Sequence, residues 1–256
     1  AKPSKGGTIE WAKPAEGERV ALFDKHVNYL TGILDSSGAT YTKSSDGAGG
    51  YTITMPENTN YIGQPTRLNG QIKPMLDRKL WSEPADIVVN QHNSGKPIFP
   101  FVVMSAAESH FMIAEAITKG LASGNAETFY QTGIRYAMEL WDVAGADIDN
   151  YIATEDMAKL NGSTDQNLEK IATQRWMALF TNGYEAWAVV RDTGFPTELS
   201  AGVSDDDIFV LGDLNGDYPQ RHRYGTGPYN TNAANVEQAN SVQGPDKQGT
   251  KLWWAK

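Results

Sequence analysis

The chain has 256 residues, 40% of them hydrophobic and 10% aromatic, with 22 Lys and Arg against 31 Asp and Glu and a formal net charge of -9. This length and apolar share bury a substantial core, as one large domain or two small ones, and the aromatic content argues against disorder. The acidic balance with scattered basic residues argues against nucleic-acid binding, no apolar run approaches the roughly 20 residues of a membrane-spanning helix, and the lack of Cys excludes disulfides and thiolate catalysis.

The chain opens in a Lys/Pro/Gly-rich stretch that reads as a loop. Residues 1–104 form a loop-rich zone with one amphipathic helix, in which Val20, Phe23, Val27, Leu30 and Leu34 recur at spacings of three and four on one face. That helix ends at Asp35-Ser36-Ser37-Gly38. A turn-rich segment follows to about residue 66, and the alternation of Tyr51 to Met55 predicts a strand of a small hairpin.

Residues 105–193 form a helical zone. Ala107, Phe111, Ala114 and Leu121, widened by Ile113 and Ile117, mark the face of one helix that stops near Gly120 to Gly124. Asn125 caps the next, with Glu127 in its first turn, where the helix dipole favours a negative charge. Its stripe is Phe129, Tyr130, Ile134, Ala137, Met138 and Trp141, and Gly133 permits a close neighbour. The pair predicts a tetratricopeptide-like hairpin. A short helix is expected over about 154–160. Ser163 and Gln166 stand in capping-box spacing before a helix through Leu168, Ile171, Ala172, Trp176, Leu179 and Phe180.

Residues 194–256, rich in Gly, Asp and Asn, show almost no periodic pattern and are expected to wrap as extended loops. Lys251-Leu252-Trp253-Trp254 reads as an apolar latch returning to the core.

Catalytic constellations are poor. The four His, at 26, 92, 110 and 222, form no His-Glu-x-x-His motif, and neither a Gly-x-Ser-x-Gly elbow nor a phosphate-cradling Gly-rich motif is present. Glu108 and Glu115 are the candidates for facing carboxylates of a glycosidase, and are read instead as solvated or internally paired. Glu185 and Arg191 read as a structural ion pair, and His110 as a partly buried helix histidine with a backbone or water partner. Asp213, Asn215 and Asp217 have the opening rhythm of a calcium loop, but Tyr218 stands in the Gly position and Tyr224 where Glu would close the cage. The tract is a solvated turn or a partial calcium site. No cofactor is implied.

Aromatics carry the remaining signal. Trp141, Trp176, Phe180 and Trp187 lie on helical stripes and are expected in the core. Trp11, Tyr41, Tyr51, Tyr61 and Trp81 lie in loops, and Asn58, Asn60 and Arg67 stand near Tyr61. Sugar rings stack their C–H faces on aromatics while their hydroxyls bond to polar neighbours, so Tyr41, Tyr51, Tyr61, Trp81, Asn58, Asn60 and Arg67 are the candidate ligand-binding residues.

Three segments carry a family resemblance. AESHFMIAEA ends in the Ala114-Glu115-Ala116 step, EKIATQRWMALFTNGYEAWAVVRDTGFP runs from Glu169 to Pro196, and DKQGTKLWWAK closes the chain from Asp246. In this order they resemble the SusD-like (RagB/SusD) family. Two departures, Val190-Arg191-Asp192 where many relatives carry paired Arg and Tyr224-Gly225-Thr226 where they tend to have Tyr-Pro, leave the ligand open.

The resemblance implies a mainly α fold, with a tetratricopeptide-like helical hairpin core, long wrapping loops and a few short strands. It implies that residues 1–256 are the carboxy-terminal part of one such domain, whose missing amino-terminal half supplies the signal sequence, the lipidated Cys and most of the helices. The expected function is a non-enzymatic, lipid-anchored cell-surface glycan binder at the outer membrane, delivering ligand to a TonB-dependent transporter. The alternatives are a peptide or other polymer as ligand, a glycoside hydrolase subdomain, and a structural module docking a partner protein.

Overall fold

The computed structural model describes every residue except 17–18, 66, 71, 90–101, 204, 206, 207, 210 and 256, and of Arg19 only the backbone. The chain divides into two compact units, one of residues 1–99 with 205–210, the other of residues 100–204 with 211–256.

The first unit packs one helix on a small sheet. Strands β1 (Gly7–Trp11), β2 (Thr42–Ser45) and β3 (Tyr51–Met55) form an antiparallel sheet in the order β1-β3-β2, with Ile9 opposite Ile53 and Thr42 opposite Thr54. The period-2 alternation of strands puts Ile53 and Met55 on one face, beside Ile9 and Trp11 of β1. Helix α1 (Arg19–Ser36) lays Phe23, Val27, Leu30 and Leu34 against that face, so four of the five stripe residues read from sequence are core, while Val20 in its first turn is half-buried outside that cluster. Gly38 ends α1 at φ 64°, its N–H bonding Asp35 O while Ala39 N–H reaches Leu34 O. This closure needs a left-handed residue, which Gly supplies without a Cβ penalty. Ile62, Ile72, Leu80, Trp81 and Ile208 also belong to this core, and Asp86 at the start of α2 (Asp86–Val89) pairs with Lys2 at 2.6 Å on the surface.

The second unit is helical. Helices α3 (Ala106–Thr118) and α4 (Ala126–Glu139) form the expected hairpin, capped by Ser105, which accepts from Glu108 N–H, and Asn125, which accepts from Thr128 N–H. Phe111, Ala114, Tyr130 and Ile134 fill the space between them with Ile171 of α6 (Thr164–Ala178). The capping box of Ser163 and Gln166 is formed at the start of α6. Helix α7 (Gly183–Thr193) begins at the Asn182 cap and packs on α6 through Leu179, Val189 and Trp176.

Several expectations differ from the structure. The helix placed at 154–160 is α5 (Gly145–Thr154), followed by a single 3-10 turn at Asp156–Ala158. Leu121 is exposed, because α3 ends at Thr118 and Gly120 at φ 72° takes the chain off the helical screw. Phe180 is 59% exposed, because α6 ends at Ala178 and Leu179 occupies its C-cap, so the 3.6-residue extrapolation fails there. Phe180 meets the half-buried Trp141 edge-on at 5.6 Å.

The zone read as loops contains α8 (Thr197–Ser200), α9 (Thr226–Thr231) and α10 (Ala233–Gln243). Only Val236 of α10 is buried, which is why no apolar period announced it. Trp253 and Trp254 are both exposed in a terminal 3-10 turn and meet edge-on at 5.6 Å.

Candidate functional site

Most of the residues predicted to bind ligand belong to the first unit's packing. Tyr41 O–H donates to Asp35 Oδ1 at 2.6 Å and Tyr51 O–H to Asp24 Oδ1 at 3.0 Å. Eleven residues of α1 separate those carboxylates, about 16 Å of helix rise, so the two hydroxyls do not converge. The Tyr51 ring stacks on Phe23 at 6.1 Å with Lys43 over it at 4.3 Å. Burial, then the Asp35 hydrogen bond, pushes the Tyr41 hydroxyl up to about 12, and the Asp24 hydrogen bond raises that of Tyr51.

Trp81 lies inside the core, and the buried Asn60 side chain accepts from Thr40 N–H at 2.9 Å. Arg67 offers its carbonyl to Tyr29 O–H at 2.9 Å. Tyr61, 66% exposed, and the exposed Asn58, in a left-handed turn at φ 54°, stand open at the surface.

The other candidates resolve as follows. Glu108 and Glu115 of α3 share Arg175 of α6, at 3.2 and 3.9 Å, and Glu115 also pairs with Lys119 at 2.5 Å. They are paired internally. His110 bonds the Ala106 carbonyl through Nδ1 at 2.8 Å. Glu185 and Arg191 form no ion pair, since residues six apart point to different sides of a helix; Arg191 Nη1 donates instead to Gln220 O at 3.0 Å. In the calcium-like tract, Asp213 lies in a 3-10 turn and Asn215 follows at φ 49°. Among the described residues no three His, Cys, Asp or Glu side chains gather as a metal site.

Sequence reasoning missed a cleft of about 570 Å³ in the second unit, lined by Thr181, Asn182, Gly183, Tyr184 and Trp187 on one side and by Pro219, Arg221, His222 and Gln248 on the other. Helix α7 supplies the first set because Asn182 caps it, its side chain accepting from Glu185 N–H, so Tyr184 emerges in the first turn and is 72% exposed. The loop carrying the second set is pinned across α7. Trp187 Nε1 donates to Pro219 O at 2.9 Å, and the backbone N–H groups of Gln220 and Arg221 both bond Gln248 O, at 2.8 and 3.1 Å.

These bonds set the His222 ring against two aromatics, 5.7 Å from Tyr184 and 5.0 Å from Trp187, with Arg191 over the Trp187 ring at 4.5 Å. Trp187 is therefore half-buried at the rim of a cleft rather than a core residue. The sequence signal was slight: a large aromatic in the first turn of α7, directly after an Asn-Gly cap. The Arg221-His222-Arg223 run, 38 residues beyond Tyr184, carried no sign of facing it.

Fold and cleft define a mainly α protein built on a helical hairpin, with an aromatic cleft at one helix start. The family model described as SusD-like, "Starch-binding associating with outer membrane", matches residues 51–223, and the chain belongs to that family. A SusD homologue of Bacteroides uniformis is 32% identical with a TM-score of 0.51, over 61% of this chain and 37% of its own. A SusD-like protein of Bacteroidetes is 25% identical with a TM-score of 0.60, over 77% of this chain and 40% of its own. A chitin-binding protein, 23% identical over 93% of this chain and 52% of its own, shares the fold at a TM-score of 0.61. The chain thus spans about half or less of the length of these relatives. No curated protein matches it.

Proposed function

We propose that this chain is part of a surface protein that captures glycans at the outer membrane and passes them to a TonB-dependent transporter, anchored by lipid in its full-length form. The observation that carries this reading is the Tyr184–Trp187–His222 cleft, an aromatic cluster with Tyr184 exposed and polar groups at the edge, in a chain of the SusD-like family. A sugar's C–H face stacks on such rings while Asn182, Gln248 and Thr181 are within the same cleft to meet its hydroxyls. The function in this reading is affinity without turnover; the two carboxylates that the sequence offered to a glycosidase, Glu108 and Glu115, are both paired with Arg175. The name of the chitin-binding neighbour agrees with a polysaccharide ligand. Tyr61 with Asn58 remains as a second contact surface.

Isothermal titration of the chain against a panel of oligosaccharides tests this. Tyr184→Ala should weaken binding roughly two- to twelvefold, corresponding to the ~0.5–1.5 kcal/mol of an aromatic contact, while the melting temperature holds. Incubation with polysaccharides should release no reducing ends. Unchanged affinity in Tyr184→Ala would move the site elsewhere, with Tyr61→Ala the next variant. Turnover lost in a single Glu or Asp variant would replace the binder with an enzyme.

A further inference from the structure

The loop between α5 and α6 holds an arrangement that the cleft does not use. Lys170 of α6 brings its ammonium into this loop, and its side chain is only 14% exposed. Nζ lies 2.8 Å from Asp156 O, 2.8 Å from Asp156 Oδ2, 2.8 Å from Asn161 Oδ1 and 3.0 Å from Lys159 O. A lysine ammonium has three N–H groups, so it does not give each of these four oxygens a full hydrogen bond. Backbone carbonyls, an amide oxygen and a carboxylate oxygen around one point are the coordination shell of a cation.

The cage is held in shape by bonds that Lys170 does not make. Asn161 Nδ2 donates to Asp156 Oδ1 at 2.7 Å, which leaves the Asn161 oxygen facing the ammonium. Helix α4 pins the same loop. Glu127 Oε2 accepts from Leu160 N–H at 2.6 Å, Gln131 Nε2 donates to Ala158 O at 3.3 Å, and Tyr130 O–H donates to Met157 O. A groove of about 480 Å³ gives solvent a path to the cage, with Asp156, Asn161 and Lys170 in its lining beside Glu169 and Glu198. Carboxylates in the groove favour a cation over an anion there, while the exposure of Asp156 keeps the attraction weak.

We infer that residues 156–161 form a binding site for a monovalent cation of the ammonium and potassium class, and that Lys170 Nζ is its tethered occupant. An ammonium ion brings four N–H groups to the four oxygens, and potassium takes carbonyl oxygens in place of its water shell. The site lies apart from the residues of the Tyr184 cleft and does not rest on the glycan reading.

The test removes the tether. Lys170→Ala keeps a strong helix former in α6 and should lower the melting temperature of the chain. Ammonium chloride or potassium chloride should then raise it again, by an amount that grows with concentration as mass action requires. Tetramethylammonium chloride, bulky and without N–H groups, holds the ionic strength constant and should not restore it. The wild-type chain should show no such selectivity, and adding Asp156→Asn to Lys170→Ala should abolish it. Lys170→Met, which fills the stem but not the head of the lysine, takes the place of the alanine variant if that fails to fold.

Recovery in only one of the two ions supports the site and names the ion it prefers. Equal recovery in tetramethylammonium, the same response in the wild-type chain, or selectivity that survives Asp156→Asn overturns the assignment.

Discussion

Phe111 and Gly133 meet where α3 packs on α4: a β-carbon at position 133 would lie 2.7 Å from Cε1 of the Phe111 ring. Phe111 is fully buried and cannot swing away, so the close approach of the two helices depends on the missing side chain. Gly133→Ala should cost about 1–3 kcal/mol in overpacking, against which its better helix propensity returns at most ~1 kcal/mol. Urea unfolding should show a lower midpoint. An equal or higher midpoint would mean the hairpin is looser than described.

Arg175 ties α6 to α3 through Glu108, a carboxylate only 6% exposed. Arg175→Met strands that buried charge, and the loss should be about 3–5 kcal/mol. Combining it with Glu108→Leu should recover much of the loss, since replacing a whole buried pair costs less than breaking it. A double variant no more stable than the single one in urea would argue that the pair does more than neutralise itself.

Tyr41 links stability to alkaline pH. With its hydroxyl pushed up to about 12, against about 10 in the unfolded chain, the folded state keeps a proton that the unfolded state releases. Its contribution is complete below pH ~10 and is lost as pH rises toward ~12. Denaturation midpoints should fall across that window, and less steeply in Tyr41→Phe. Identical slopes would show that the Asp35 contact does not hold in solution.

Tyr51 and Tyr61 should separate stability from surface role. The Tyr51 ring stacks on Phe23 and its hydroxyl bonds Asp24, so Tyr51→Ala should lower the melting temperature. Tyr61→Ala, at an exposed position, should leave it unchanged. Differential scanning calorimetry compares the two directly. Equal losses would contradict the exposure of Tyr61.

Local features of the fold were legible residue by residue. The spacing of Phe23, Val27, Leu30 and Leu34 named the buried face of α1, Asn125 and Ser163 marked the starts of α4 and α6, and alternation found β3. Each rests on interactions within a few residues, which chain order preserves. Helix ends were less legible: Leu121 and Phe180 continue an apolar period that the backbone had already left. Polar α10 was invisible for the opposite reason, having almost no buried face to impose a period.

The sequence by itself determined the family resemblance and the helical hairpin with its caps, because each follows from short-range order. Only the tertiary structure decided what the aromatics do. Tyr41, Tyr51 and Trp81 read as surface residues because loops are normally exposed, yet α1 and the core give their side chains partners. Trp187 read as core because it lies on a helical stripe, yet the loop from Pro219 to His222, drawn in by Gln248 O, turns it into the rim of a cleft. The physical reason is that a ring's burial is set by what packs on it from distant parts of the chain.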